Sequence, residues 1–346
     1  MSIYSGRDTS SDNTISEVWM SIEPMLDCFK HLISLADKEA IQTSYISESL
    51  QDEVMEAFEI LSNSLNDKIG ITSDLSEEVK ATIGQKIHLQ MLPYLLLTNS
   101  IERIYSKPRG YAGDFLMINS IYQNRPAGVG RVGSLIDRCF LDMPPAIAVR
   151  NRRKLLVDEI NTAISSKNDD EPTRITSLAS GPAAEVFDVY EELEKSSRLK
   201  MTLIDIDYQS LAYVDDKATS LSVNKHLQLH HGNLVYLALG RQKLELEQQD
   251  LIYSIGLIDY FNDKFVLAMI NYIYENLADN GKVILGNFHP NNPTKALMDH
   301  ILDWRLTHRT EDEINQLFAK SKFGTRCTEI LFEEQKINMF AVCVKS

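Results

Sequence analysis

ITSLASGPAAE, residues Ile175 to Glu185, is the stretch whose reading decides the fold. An apolar run ends in a turn of small residues, Ala179-Ser180-Gly181-Pro182-Ala183, and the turn opens a helical pattern. The next apolar run, Met201 to Asp205, ends on an acid. Strand, glycine turn, helix and then an acid at the next strand end is how open α/β sheets hold a nucleotide or nucleoside. The glycine lets the backbone approach the ligand, and the acid accepts hydrogen bonds from ribose hydroxyls. A dinucleotide site would prefer GxGxxG. Here Gly181 stands alone and Pro182 removes a backbone donor, which argues against a pyrophosphate and so against NAD or FAD. The turn suits a ligand without phosphates. Its plainer reading is an ordinary strand-to-helix connection.

Working outward, strand and helix patterns alternate from Arg174 onward. ITSLAS, KMTLID, KHLQLHHGN, DLIYSIG and KVILGNF read as strands. Helices are expected at about Ala183 to Leu193, Tyr208 to Lys217 and Lys264 to Leu277, with a short one after Asn233. Further helices are expected near Pro293 to Thr307 and Thr310 to Ala319. TEILFEE and INMFAVCVK, joined by a short turn, read as an antiparallel hairpin. Alternation implies a parallel sheet, and the closing hairpin makes a mixed, seven-stranded one.

In that sheet the carboxyl ends of the strands face the ligand. Ala179, Ser180 and Gly181 form the first turn. Asp205 is the ribose acid, with Ile206 expected against an adenine face; Asp207 competes, but its position suits a cap on the following helix. Gly232, Asn233 and Leu234, after the third strand, suit an adenine edge. His230 and His231 lack a ligand-spaced partner, so no metal is expected. Tyr253, Ser254 and Gly256 end the fourth strand and are candidates for the floor of the reaction site. Asn287 and His289 end the fifth, where His289 is placed to act as a base near neutral pH or is simply a loop histidine.

Before the sheet the texture differs. Residues 1–13 are polar and expected to be unstructured. A helical domain over 14–145 follows, carried by Trp19, Ile22, Met25, Leu26, Phe29, Leu32 and Ile33, and by Val54, Phe58, Leu61 and Leu65, at three- and four-residue spacing. Asp74 with Glu77 resembles a cap for a third helix through Val79, Ile83, Ile87 and Met91, which Pro93 kinks or ends. KPRGYAGD (Lys107 to Asp114) and RPAGVGRVGS are loop compositions on either side of a short helix from Phe115. A helix from about Ala146 leads into the sheet, so the second domain is expected over 146–346. Arg150, Arg152 and Arg153 on that helix read as a solvated basic face, with contact of one of them to the ligand as the alternative.

Composition narrows the partners. The net charge of −14, from 35 basic and 49 acidic residues, disfavours nucleic acid. Cys28, Cys139, Cys327 and Cys343 are far apart, with no CxxC pair, so neither a zinc site nor a disulfide framework is expected. MSIYSGRDTSSDN lacks the apolar core of a signal peptide, and no apolar run is long enough to span a membrane. A cytoplasmic protein is expected; a homodimer stays open.

With these residues in place, Arg174 to Ser346 resembles the class I S-adenosylmethionine-dependent methyltransferases, which are Rossmann-like. The order of the glycine turn, the acid ending strand two, the polar end of strand three and the closing hairpin carries the resemblance. Members often have more than one glycine in the first motif. A narrower resemblance rests on KPRGYAGDFLM (Lys107 to Met117), YSIGLIDYF (Tyr253 to Phe261) and GNFHPNNPTKALMDHILDWRLTHRT (Gly286 to Thr310). These are similar to bacterial proteins of the PhcB type, which make methyl esters of 3-hydroxy fatty acids.

The resemblance implies S-adenosylmethionine as cofactor and a small-molecule acid as acceptor. A carboxylate is already ionised and needs a cation or donors to place it rather than a base. Arg109 and Tyr111 are the first candidates for this, and Arg305 and Arg309, beside Trp304, the next. Arg109 is equally suited to the carboxylate tail of the cofactor, and Asp114 to positioning Arg109 or to the cofactor's amino group. An amine or phenol acceptor would instead give His289 or Tyr253 more to do. The helical domain is expected to cap the sheet. Two other readings are a natural-product N- or O-methyltransferase and a cofactor-sensing protein without turnover.

Overall fold

A computed structural model describes residues 9–168 and 170–346, with side chains from residue 12. The described residues divide into two compact units, one within 9–113, 123–146 and 293–305 and the other within 114–122, 147–292 and 306–346.

The helical unit begins with α1 (Thr9–Thr43), α2 (Glu48–Ile69), α3 (Glu77–Leu95) and α4 (Asn99–Ser106). Of the first thirteen residues, expected to be unstructured, 1–8 lie outside the described residues, while Thr9 to Asn13 already belong to α1. Asp12 in the first turn favours the positive end of the helix dipole, an effect that polarity alone does not reveal. The apolar stripe of α1 packs on that of α2, with the Phe29 and Phe58 rings 5.7 Å apart. The cap of α3 is Ser76, whose hydroxyl accepts from Val79 N, rather than Asp74, and Pro93 lies inside the helix.

The chain then forms α5 (Phe115–Gln123), α6 (Gly130–Leu141) and α7 (Pro144–Ser165), which runs from the helical unit into the other. The sheet unit continues β1 (Thr173–Leu178), α8 (Ala184–Glu192), β2 (Leu199–Asp205), α9 (Tyr208–Ser220), β3 (Leu227–His231), α10 (Leu234–Ala238), β4 (Gln249–Ser254), α11 (Asp263–Asn276) and β5 (Leu277–Phe288). After α12 (Lys295–His300) come α13 (Glu311–Lys320), β6 (Glu329–Phe332) and β7 (Asn338–Val344). The strand order is β3-β2-β1-β4-β5-β7-β6. The first five strands are parallel, and β7 pairs antiparallel with both β5 and β6. This is the class I, Rossmann-like mixed sheet with a terminal hairpin.

Both faces are covered. Leu156, Ile160 and Ile164 of α7 pack with Val186 and Phe187 of α8 and Val214 of α9 on one side. Val266, Met269, Ile270 and Ile273 of α11 pack with Ile314 and Phe318 of α13 on the other. Burial on both faces explains why the strands read as near-continuous apolar runs.

Pro293 to Arg305 belongs to the helical unit although its neighbours in sequence belong to the sheet unit. The reason is a close approach: a Cβ on Gly84, in the middle of α3, would lie 2.6 Å from His300 Cβ. One turn on, His88 Nδ1 lies 2.8 Å from Ile301 O. Only α12 is helical here; the long helix expected to Thr307 stops at His300, and Asp303 has a φ of 48°. Among the described residues no helix is long and apolar enough to cross a membrane.

Candidate functional site

The turn after β1 has an unusual backbone. Ala179, Gly181 and Ala183 all take positive φ, at 56°, 54° and 49°. Alternate residues are thus left-handed, a conformation alanine adopts only at a cost. The turn is held by its neighbours. Ser180 N donates to Ile204 O (3.2 Å), Gly181 N to Asp205 Oδ2 (2.8 Å) and Ser210 Oγ to Gly181 O (2.7 Å). A Cβ on Gly181 would meet nothing within 4 Å, so the turn opens onto free space. Ala183 caps α8 without a side-chain bond, leaving the first backbone donors of that helix to other partners.

Asp205 is 6% exposed at the end of β2. Its Oδ1 accepts from Asp207 N at 2.8 Å, and the Ile206 backbone adds a third hydrogen bond to the carboxylate. Burial raises its carboxyl above the usual range, and the backbone donors oppose that rise. Asp207 accepts from Gln209 N and caps α9. Ile206 is 54% exposed beside His231, whose Nε2 lies 3.0 Å from Ile206 O. Asn233 caps α10 through Oδ1, which accepts from Val235 N and Tyr236 N. Gly232 N donates to Asp205 O, while the Leu234 side chain is buried in the core, leaving only its backbone for a ligand.

Several other candidates have different work. Tyr253 is fully buried, 0% exposed, and its hydroxyl donates to Glu185 Oε1 at 2.8 Å. Burial holds the phenol well above its ordinary value and raises Glu185 too. Alternation along β4 puts Tyr253 in the α7–α8 core, so the expected catalytic role is withdrawn. Ser254 Oγ donates to Leu178 O (2.8 Å), tying β4 to the start of the glycine turn.

His289 is also engaged at both nitrogens: Nδ1 accepts from Asn291 N (3.2 Å) and Nε2 lies 3.0 Å from Glu311 Oε2. The ring locks a corner rather than presenting a base. Arg309, 2% exposed, donates to Asp263 Oδ1, Ile258 O, Asn287 Oδ1 and Phe261 O. The Asn287 amide donates to Thr307 O. Both residues therefore fix the chain after β4 against β5 and are corrected from substrate contacts to supports. Asp114 is fully buried, and its Oδ1 accepts from Met117 N at the start of α5.

Arg109, Tyr111, Trp304 and Arg305 lie in the helical unit. Arg109 and Tyr111 are half-buried in the loop that follows α4, Trp304 is buried, and Arg305 is exposed and paired with Asp303 at 3.3 Å. Lys107 Nζ also reaches Asp303, at 2.5 Å, so the two segments quoted for the narrower resemblance meet within this unit.

Two buried groups differ from the sequence expectation, Arg152 because it was expected on a solvated face and Asp259 because it was not singled out. Arg152 is 4% exposed, with Nη1 3.1 Å from where a Cβ on Gly256 would stand. The signal was present: Arg152 leads the four-residue series Leu156, Ile160, Ile164, the buried stripe of α7. Asp259 is 1% exposed, accepts from Phe288 N (2.6 Å), and burial pushes it up to about 6. Arg153, by contrast, is held by Asp188 at 2.6 and 2.5 Å.

A family model described as "Putative methyltransferase" matches residues 110–343, more than half of the chain. The chain belongs to this family. The match starts inside KPRGYAGD and runs into β7. No curated protein matches it in sequence. Among solved structures, a possible exported protein from Bordetella parapertussis shares the fold at a TM-score of 0.53, with 15% identity over 100% of this chain and 99% of that one. Looser likenesses run to the S-adenosylmethionine-dependent methyltransferase SibL in its apo form, with 12% identity over 94% and 98% at a TM-score of 0.48. Magnesium protoporphyrin IX methyltransferase from Synechocystis PCC 6803 with bound SAH shows 11% identity over 72% and 100% at 0.47. At 15% identity the Bordetella protein shows a shared fold alone, and the substrates of these proteins are their own.

Proposed function

We propose that this methyltransferase uses S-adenosylmethionine to methylate a small molecule, and that the acceptor is a carboxylic acid such as a hydroxy fatty acid. The observation that carries the cofactor reading is the β1 turn. Its alternating left-handed residues open above Gly181 and are clamped to the Asp205 carboxylate. A phosphate-free nucleoside fits these groups. The Asp205 carboxylate accepts from the ribose, the half-exposed Ile206 offers an apolar face to adenine, and the Asn233 amide offers a donor to its edge. Ser180 Oγ is buried without a partner among the described residues, as expected where a polar ligand completes the site.

When bound, S-adenosylmethionine supplies an electrophilic methyl group on a sulfonium. The chain's own contribution is to bind, align and exclude water. A carboxylate acceptor is supported by the placement of the two residues that would serve an amine or phenol, since Tyr253 and His289 are both committed to structural bonds. Arg109 and Tyr111 are the groups we assign to holding the acceptor carboxylate. The resemblance to the PhcB type supports the fatty-acid choice. A cytoplasmic protein belongs to the same proposal, since its four free thiols suit a reducing compartment.

The test is incubation with methyl-labelled S-adenosylmethionine and a panel of 3-hydroxy fatty acids, plain fatty acids, aromatic acids, amines and phenols. Label that enters an acid and is released as methanol by mild base supports the ester. Label retained through base, in an amine or phenol, overturns the acid reading while keeping the methyltransferase.

A further inference from the structure

We propose that Arg152, whose buried guanidinium lies beside Gly256, is the seat of the cofactor's α-carboxylate. The inference rests on the cofactor reading and adds a residue to it. Arg152 projects from the buried stripe of α7 and is 4% exposed, so its charge has left water. A desolvated guanidinium is costly unless an anion and hydrogen-bond acceptors surround it. Its Nε is buried and has no hydrogen-bond partner among the described residues. Tyr122 hydrogen-bonds to it from α5. Glu185 and Asp259 are close enough to feel its charge. Both have other commitments: Glu185 accepts from the Tyr253 hydroxyl and Asp259 from Phe288 N.

Gly256 supplies the second observation. It takes φ of +75° just past the end of β4, where open sheets receive ligands. A Cβ there would lie 3.1 Å from Arg152 Nη1 and 3.5 Å from Nη2. Any side chain would therefore cover the fork of the guanidinium, and glycine leaves it open. An open, planar fork matches a carboxylate by two parallel hydrogen bonds. S-adenosylmethionine carries a carboxylate on its amino-acid tail, and the partnerless Ser180 hydroxyl in the β1 turn is available to the same tail.

The test compares two probes by calorimetric titration, S-adenosylhomocysteine and its decarboxylated analogue S-adenosyl-3-thiopropylamine, which lacks only the carboxylate. Wild-type protein should prefer S-adenosylhomocysteine by roughly 10- to 100-fold, the range for a hydrogen-bonded charge. In Arg152→Met that preference should vanish because the homocysteine affinity falls while that of the analogue holds. Arg152→Lys, which keeps the charge and loses the fork, should retain part of it and serves if the methionine variant does not fold. Equal affinities in the wild type, or an equal loss of both probes in the variants, would overturn the assignment. Binding of neither probe by the wild type would overturn the cofactor reading and this inference with it.

Discussion

At Ala179 and Ala183 two methyl groups sit on left-handed backbone, where glycine would carry no strain. Alanine in this conformation costs about 1–2 kcal/mol. The turn therefore keeps the geometry of a three-glycine motif while spelling only one glycine, which is why the sequence shows its ligand class but not its shape. Ala179→Gly should raise the unfolding free energy by about 1 kcal/mol, against the usual expectation for Ala to Gly. At Ala183 the gain should be smaller, because its methyl is packed in the α7–α8 core. Chemical denaturation of the two variants checks this; a loss at Ala179 would mean that the turn is not left-handed there.

The segment between β4 and α11 shows what an element requires of its supports. Arg309 gathers Ile258 O, Phe261 O, Asp263 and Asn287, and Asp259 accepts from Phe288 N, so charges otherwise suited to a substrate hold a loop. Its strand-end position put Asn287 near the site, and the narrower resemblance put Arg309 there, but which partners they take is set by chain ends brought together only in three dimensions. Asp259 gives this element a pH signature. An unfolded Asp titrates near 3.9, and burial raises this one to about 6. Stability from its protonated form is present below about pH 4 and lost as the pH rises through 6. Against Asp259→Asn, the wild type should lose on the order of 2–3 kcal/mol between pH 4 and pH 7. Parallel profiles for the two proteins would show that folding does not raise the titration of Asp259.

In α3 the contact with α12 makes a second element-scale case. Glycine in a helix interior costs about 1 kcal/mol relative to alanine, yet Gly84→Ala should destabilise by about 1–3 kcal/mol, because the new methyl would meet His300 at 2.6 Å. A stabilised variant, measured by its melting temperature, would show that α12 does not pack on α3.

Over the whole molecule, alternation of strands and helices after Arg174 was enough to read the parallel sheet, and TEILFEE with INMFAVCVK its hairpin. Periodicity in Trp19 to Ile33 and Val54 to Leu65 was enough for the helical unit. The return of Pro293 to Arg305 to that unit was not legible, because it depends on Gly84 and His88 meeting residues more than two hundred positions away. Arg152 was legible as a charge on an apolar stripe, and its meaning needed Gly256 beside it. What remains central is the ligand of the β1 turn. The most direct measurement is the melting temperature with millimolar S-adenosylhomocysteine. At about 100 times its dissociation constant, the ligand should add about 2.7 kcal/mol and raise the melting temperature by several degrees. An unchanged melting temperature at millimolar ligand would contradict the account.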